Sequence, residues 1–403
     1  MPDASGAPFA GRILWFAGIG GAGLSAYAVL SKAWGAEVGG WDRADTPYLA
    51  HVRAAGIPVT VSAEPPSPPD GAEIVVSTAY AGRVAGAPRA ELLAELVSLR
   101  PSIVVTGAHG KTTTAAMIAY VLDRLGLDPA FLIGGDVPQL GGNAGTGSGR
   151  LVVEGDESDR SVFSLRPDIA VLTNVELDHH TTFASLVELE EAVEAWLREI
   201  PSVIRATELA PIGFELRIPG EHNRRNAAAA LAVVALVTDR ADDAAAAIAE
   251  FAGVGRRFES VGEAKGICVV DDYGHHPTEV AATIEAARSR DDAGRLIVLF
   301  QPHLYSRTVH LAREFAAALA GADAAVVTEI YPAREEPWPG VSGKLVVDAL
   351  AEARPGMTVG WAPRLEDAAR IVAAQAKPGD LVLTLGAGDV AGAGRRILEL
   401  LAA

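Results

Sequence analysis

Short apolar runs recur along the chain, each closing in glycine or ionisable residues and each followed by a stretch with helical spacing. In the first block, "RILWFAG" (12–18), "AEVGGWD" (36–42) and "EIVVSTA" (73–79) read as strands alternating with helices. That is the pattern of a parallel sheet covered by helices. The block closes near "PRAELLAELVSLRP" (88–101), a helix stopped by proline. A second block holds "SIVVTGAHGKTTT" (102–114), "GRLVVEGDESD" (149–159) and "PDIAVLTNVELDHH" (167–180). Each is a β-branched run with a polar tail, and ligands of open parallel sheets lie beyond the carboxyl ends of strands, so the three tails are expected to converge on one crevice. From about Arg256 the arrangement repeats with "GICVVDDYGHHPTE", "RLIVLFQPHLYSRT", "DAAVVTEIYPARE" and "DLVLTLGAGD". The pattern predicts an α/β protein of three tandem domains, at 1–98, 99–255 and 256–403. "EPPSPPD" (64–70) reads as a proline-rich surface loop and "GGNAGTGSG" (141–149) as a flexible one.

Composition narrows the class. A length of 403 residues with 49% hydrophobic content supports several real cores. A formal net charge of −17, with no basic block, argues against nucleic acid as partner. The longest apolar run, near "AAAALAVVALVT" (227–238), falls short of the ~18–20 residues that span a bilayer. The amino terminus lacks the regions of a signal peptide, and the single cysteine, Cys268, allows no intramolecular disulfide. A cytoplasmic protein without membrane insertion is the expectation.

Two glycine turns carry candidate chemistry. In "GIGGAG", Gly18, Gly20 and Gly23 fit the dinucleotide fingerprint, and Asp42 follows the second strand at about the expected distance. Such a turn brings a pyrophosphate against a helix amino terminus, whether of a nicotinamide or of another diphosphate. "GAHGKT" (107–112) is sharper: Lys111 supplies a point charge for β/γ phosphates, and the hydroxyl of Thr112 can ligate magnesium. Val105 stands where the first glycine of the strict motif falls. Glu154 closes the next strand, where a nucleotide enzyme places a carboxylate for magnesium. Asp156, Glu157 and Asp159 divide evenly between function and a solvated acidic loop, and His179 follows "NVELD" as a ligand, a cap or a core histidine.

Taken in order, "GIGGAGLS", "GAHGKTTT", "EGDESDRSVF", "TNVELDHH", "GEHNRRNAAAA", "GVGRRFE", "DDYGHHPTE" and "FQPHLYSRT" resemble the Mur ligase family, most closely its alanine-adding branch. The resemblance implies a Rossmann-like N-terminal domain for a uridine diphosphate sugar, a P-loop-type central domain for ATP, and a Rossmann-like C-terminal domain for the amino acid. It implies ATP and Mg2+ as cofactors, and UDP-N-acetylmuramate and L-alanine as the molecules joined through an acyl phosphate. Carried over by position, Gly18, Gly20, Gly21, Ala22, Gly23, Asp42, Ser77 and Ser158 would hold the nucleotide sugar. Gly107, Ala108, His109, Gly110, Lys111, Thr112 and Thr113 would hold ATP with Asn223, Asn226, Arg257, Asp272 and Tyr273. Thr112, Glu154 and His179 would hold metal, and His275 and Arg307 would face the alanine carboxylate. Lys111, Glu154, His179, Arg257 and Asp272 form the implied catalytic set.

Two departures stand out. Between His180 and Asn223 the chain is shorter than the family leads one to expect, so peripheral strands of the central domain are expected to be missing. Leu304 occupies a place where the family branch commonly has a second arginine for the alanine carboxylate. Alternatives are a ligase attaching a ready-made peptide to the same sugar, as in murein-peptide recycling, and a nicotinamide oxidoreductase built on "GIGGAG". A non-catalytic binding homologue is disfavoured by the retention of Lys111, Glu154 and His179.

Overall fold

A computed structural model describes residues 7–177, 182–290, 294–333 and 335–403. The chain divides into two compact units, Met1–Leu216 with Arg224–Val254, and Arg217–Asn223 with Gly255–Ala403. Among the described residues no helix is long and apolar enough to cross a membrane.

The first unit holds two sheets. In the first, β1 (Ile13–Ala17), β2 (Glu37–Asp42), β3 (Val59–Val61), β4 (Glu73–Val76) and β5 (Ala87–Pro88) lie in the order β3-β2-β1-β4-β5. All its pairings are parallel. The strand order reverses between β1 and β4, so the turn after β1 opens at a topological switch point, where such sheets bind ligands. Helices α1 (Ala22–Ala33), α2 (Leu49–Ala54) and α3 (Arg89–Ser98) complete this layer.

The second sheet runs β11-β10-β6-β9-β7-β8, with β6 (Ser102–Thr106), β7 (Ala130–Val137), β8 (Gly142–Thr146), β9 (Leu151–Glu154), β10 (Ile169–Leu172) and β11 (Ser202–Arg205). It is parallel except for the β7–β8 hairpin. Helices α4 (Lys111–Arg124), α5 (Leu186–Leu197), α6 (Glu221–Val237) and α7 (Ala241–Ala249) follow in the chain. Both sheets feed one continuous apolar core, from Phe16 of the first sheet and Leu30 of its helix α1 to Val104 and Val153 of the second sheet.

Two expectations change here. The glycine-rich run at 141–149 is not a flexible loop: residues 142–146 form β8, paired with β7. Its glycines serve packing, since a Cβ on Gly145 would lie 2.1 Å from the Phe131 ring. The shortened stretch after His180 still supplies an edge strand, β11, which pairs in parallel with β10. "SVIR" is too short and too polar at its ends to announce itself.

The second unit carries β12 (Glu259–Ala264), β13 (Ile267–Asp272), β14 (Leu296–Phe300), β15 (Ala324–Val327), β16 (Thr358–Trp361) and β17 (Leu381–Leu385), in the order β12-β13-β17-β14-β15-β16. Only β12 runs antiparallel to its neighbour. Leu296, Val298 and Phe300 enter one core, and Ile297 and Leu299 enter the other. A sheet buried on both faces explains why its strands read as unbroken apolar runs. Helices α8 (Pro277–Arg288) and α9 (Tyr305–Leu319) follow β13 and β14.

Candidate functional site

The first glycine turn leaves β1 at Gly18, whose φ is +88°. A Cβ there would meet Ser77 Oγ at 2.5 Å, so only glycine fits. The Gly20 N–H donates to Asp42 Oδ2 at 2.8 Å. Ala44 N–H and Tyr80 OH donate to the other Asp42 oxygen at 3.3 and 3.4 Å. The Asp42 carboxylate, expected to face a ligand, thus holds the turn that shapes the cradle. Gly21 caps α1 with no side-chain bond, which leaves the amino end of that helix suited to an anion. Ser77 Oγ is buried against the turn and has no partner among the described residues. Gly23 lies in the first turn of α1, where its absent Cβ would sit 3.3 Å from Arg89 Nη1. From the second sheet, Asn143 donates to Ala22 O at 2.7 Å, and sequence reasoning missed this residue. Ser158 lies beyond β9, its N–H donating to Asp156 Oδ1 at 2.9 Å.

The second turn leaves β6 at Gly107 and enters α4 at Lys111. Gly107 has φ +126°, and a Cβ there would lie 2.3 Å from Thr173 Oγ1. Gly110, with φ +80°, caps α4, and its absent Cβ would lie 2.6 Å from Asn226 Oδ1. Asn174, at the tail of β10, pins the turn: its Oδ1 accepts from His109 N–H and its Nδ2 donates to His109 O, both at 2.9 Å. His109 Nε2 lies 3.1 Å from Glu176. Asn174 and Glu176 went unassigned in the sequence, although "TNVELD" was the strand tail expected to reach this crevice.

Lys111 Nζ donates to Gly107 O, to Ala108 O at 3.2 Å and to both Glu157 oxygens at 3.1 and 3.2 Å. Burial works against its charge, but Glu157 and Asp156 outweigh it and hold the ammonium pKa up. Glu157 is 6% exposed, and burial pushes its carboxyl upward against the pull of Lys111. Thr112 is half-buried and Thr113 buried in the first turn of α4. Glu154 closes β9, its Oε1 accepting from Gly134 N–H at 2.9 Å. The tails of β6, β9 and β10 therefore do meet. His179 and His180 lie outside the described residues.

In the second unit, Asp272 ends β13 and is 6% exposed. Phe258 and Gly274 N–H groups donate to its two oxygens at 2.8 and 2.7 Å, and Thr283 OH adds a bond at 3.2 Å. Burial nevertheless pushes its pKa up to about 6, against Arg257 and these donors. The guanidinium carbons of Arg256 and Arg257 lie 4.9 and 5.1 Å from the Tyr273 ring centre, and Arg257 reaches Glu279 at 3.6 Å. Asn223 is buried and donates to Pro219 O at 2.7 Å. His275 stands edge-on to His303, ring centres 5.5 Å apart, and His303 Nδ1 lies 3.1 Å from Arg307 Nη1. Tyr331 stacks on His303 at 5.8 Å. His275 and Arg307 are thus joined by His303, which sequence reasoning quoted in "FQPH" without giving it a place. Leu304 is buried at the head of α9 with φ +68°, a strained conformation for a bulky residue.

The similarities to known proteins follow this geometry. Residues 105–204 match the Mur ligase middle domain, and residues 256–388 match the Mur ligase glutamate ligase domain. A UDP-N-acetylmuramate–L-alanine ligase of Renibacterium salmoninarum is 39% identical over 449 residues, covering 96% of this chain and 95% of its own. The chain belongs to the Mur ligase family.

Among solved Mur ligases, the UDP-N-acetylmuramate-alanine ligase of Thermotoga maritima superposes with a TM-score of 0.81 at 27% identity, over 96% of this chain and 98% of that one. A murein peptide ligase of Psychrobacter arcticus shares the fold at a TM-score of 0.66 and 23% identity, over 97% of this chain and 99% of that one. The alignment spans 449 positions against the 403 residues of this chain, so the relative carries segments that this Mur ligase lacks.

Asp272 gives this Mur ligase a measurable pH signature. Its folded pKa, about 6, lies above the 3.8 ordinary for an aspartate, so between these the native state holds a proton that the unfolded state has lost. Its contribution to stability therefore falls as pH rises from about 4 to 6, by about 3 kcal/mol in all. Chemical denaturation across this range should show stability falling less in Asp272→Asn than in the parent, with no difference in slope above pH ~7.

Proposed function

We propose that this Mur ligase joins L-alanine to the lactyl carboxylate of UDP-N-acetylmuramate, with ATP cleaved to ADP and phosphate. The observation that carries this reading is the pair of phosphate cradles in one unit, at Gly18–Gly23 and Gly107–Thr112, set on sheets that share one core. A hydride-transfer enzyme would need the first cradle and has no use for Lys111 in the second.

The first cradle would take the UDP diphosphate at the amino end of α1, with Ser77 and Ser158 toward the nucleotide sugar. The second would take the triphosphate, with Lys111 on the β/γ phosphates. Thr112 and Glu154 offer the hard oxygen donors that suit Mg2+. A bound magnesium would neutralise charge on the phosphates. His179 is proposed as a further ligand on sequence grounds alone. Asn223, Asn226, Arg257, Asp272 and Tyr273 are assigned to ATP, and His275 and Arg307 to the amino acid, within the proposed domain limits of 99–255 and 256–403.

A carboxylate does not react with an amine at neutral pH until it is activated. One oxygen of the lactyl carboxylate attacks the γ phosphorus as the bond to ADP breaks. The amine nitrogen of L-alanine then attacks the acyl carbon, phosphate leaves with the former carboxylate oxygen, and the amine gives up a proton. Negative charge gathers on phosphoryl oxygens in the first step, so the work of Lys111 is electrostatic and positional. The proposed location is the cytoplasm.

Magnesium-dependent ADP formation is expected to require UDP-N-acetylmuramate and L-alanine together. Equal ADP formation without the sugar would refute the ligase reading. Turnover with a tripeptide in place of L-alanine, and none with L-alanine, would move the enzyme to peptide recycling.

A further inference from the structure

The two cradles are linked by one cation that neither of them claimed. Arg89 opens α3 of the first sheet, and its Nη2 donates to Asp156 Oδ2 at 3.0 Å and to Asp159 Oδ2 at 2.9 Å, on the loop beyond β9 of the second sheet. That loop, "DESD", brings three carboxylates to the mouth of the second cradle. Lys111 is matched there by Glu157, and Arg89 is the cation that bonds both remaining carboxylates, Asp156 and Asp159, offsetting one of their two charges. Asp156 also lies within the field of Lys111: the two shift each other's ionisation. Without Arg89, the unmatched negative charge at the approach to Lys111 would rise from one to two where a polyanion must enter.

We propose that Arg89 is a positioning residue for the triphosphate, acting through Asp156 and Asp159: a side chain of the nucleotide-sugar domain offsets part of the charge of the acidic loop so that ATP can settle on Lys111. The inference rests on the reading of the second cradle as the ATP site. The same guanidinium is not saturated by the loop, since its Nε is buried with no partner among the described residues and its Nη1 faces Gly23 of the first cradle. Arg89 thus stands where charge in one cradle is felt in the other. Coulomb interactions over such distances in a partly buried site exceed those in bulk water and are weakened by salt.

The test is calorimetric titration of the full chain with a non-hydrolysable ATP analogue and Mg2+, without the sugar, so that no turnover intervenes. Arg89→Ala should weaken binding by about tenfold, and the deficit should shrink as salt is raised. Adding Asp156→Asn and Asp159→Asn to Arg89→Ala should return affinity to within about threefold of the parent, although the bridge between the sheets stays broken. Asn keeps the side-chain acceptors for Ser158 and Ser161 N–H groups. In the parent background the two asparagines should tighten binding, a result that does not depend on Arg89→Ala folding. Parent-like affinity in Arg89→Ala, or no recovery in the triple variant, would overturn the proposal, as would weaker binding in the double variant. Failure of the parent itself to bind the analogue would refute the ATP reading instead.

Discussion

Lys111→Ala is expected to lower turnover ~100-fold or more while leaving the protein folded, the size of effect seen when a group acting on transition-state charge is lost. Among the described residues its ammonium bonds to its own turn and to Glu157, outside the apolar core. Glu157 would lose its cation, and burial already pushes that carboxyl toward the protonated form, which limits the structural cost. Glu154→Gln should cut turnover comparably, because the amide keeps the acceptor for Gly134 N–H but not the charge. Steady-state rates beside thermal melts separate the two effects. A folded Glu154→Gln enzyme with near-parent turnover would remove Glu154 from the metal site.

Arg307→Ala should raise the Michaelis constant for L-alanine strongly and leave those for ATP and the sugar nearly unchanged. Removing one charged partner of a desolvated carboxylate typically costs ~2–5 kcal/mol, because the other charge stays buried and unpaired. Arg307 is 2% exposed and held against His303, so its guanidinium is already oriented. Leu304→Ala should do far less, since an apolar side chain has no charge to pair with the carboxylate. Titration of each substrate in both variants, with a melt to confirm folding, decides the point: an unaltered alanine constant in Arg307→Ala would place the carboxylate elsewhere.

The parallel sheets were legible because strands buried on both faces are written as apolar runs, as in "RLIVLF" and "DLVLTL", and because each run ends where chemistry begins. Gly18, Gly107 and Gly110 were legible for a related reason: a positive φ or a neighbour within about 3 Å admits no other residue. What stayed hidden depends on partners distant in the chain. Arg89 meets Asp156 and Asp159 from 67 and 70 residues away. Asn143 reaches Ala22 from 121 residues away. No local spacing announces such pairs. The run at 141–149 misled because glycine chosen for close packing against Phe131 has the same composition as glycine chosen for flexibility. Asp42 bonds the turn itself, a contact that its position at a strand end did not announce.

Activation of a carboxylate by ATP leaves an isotopic trace, and this is the measurement that bears most directly on what the two cradles do. UDP-N-acetylmuramate labelled with oxygen-18 in the lactyl carboxylate would be incubated with ATP, Mg2+, L-alanine and the enzyme, and the released phosphate examined by mass spectrometry. Attack of the carboxylate on the γ phosphorus requires one labelled oxygen to leave in phosphate for each amide formed. Unlabelled phosphate accompanying amide formation would contradict the acyl-phosphate route, and phosphate release without any amide would contradict the joining of the two ligands altogether.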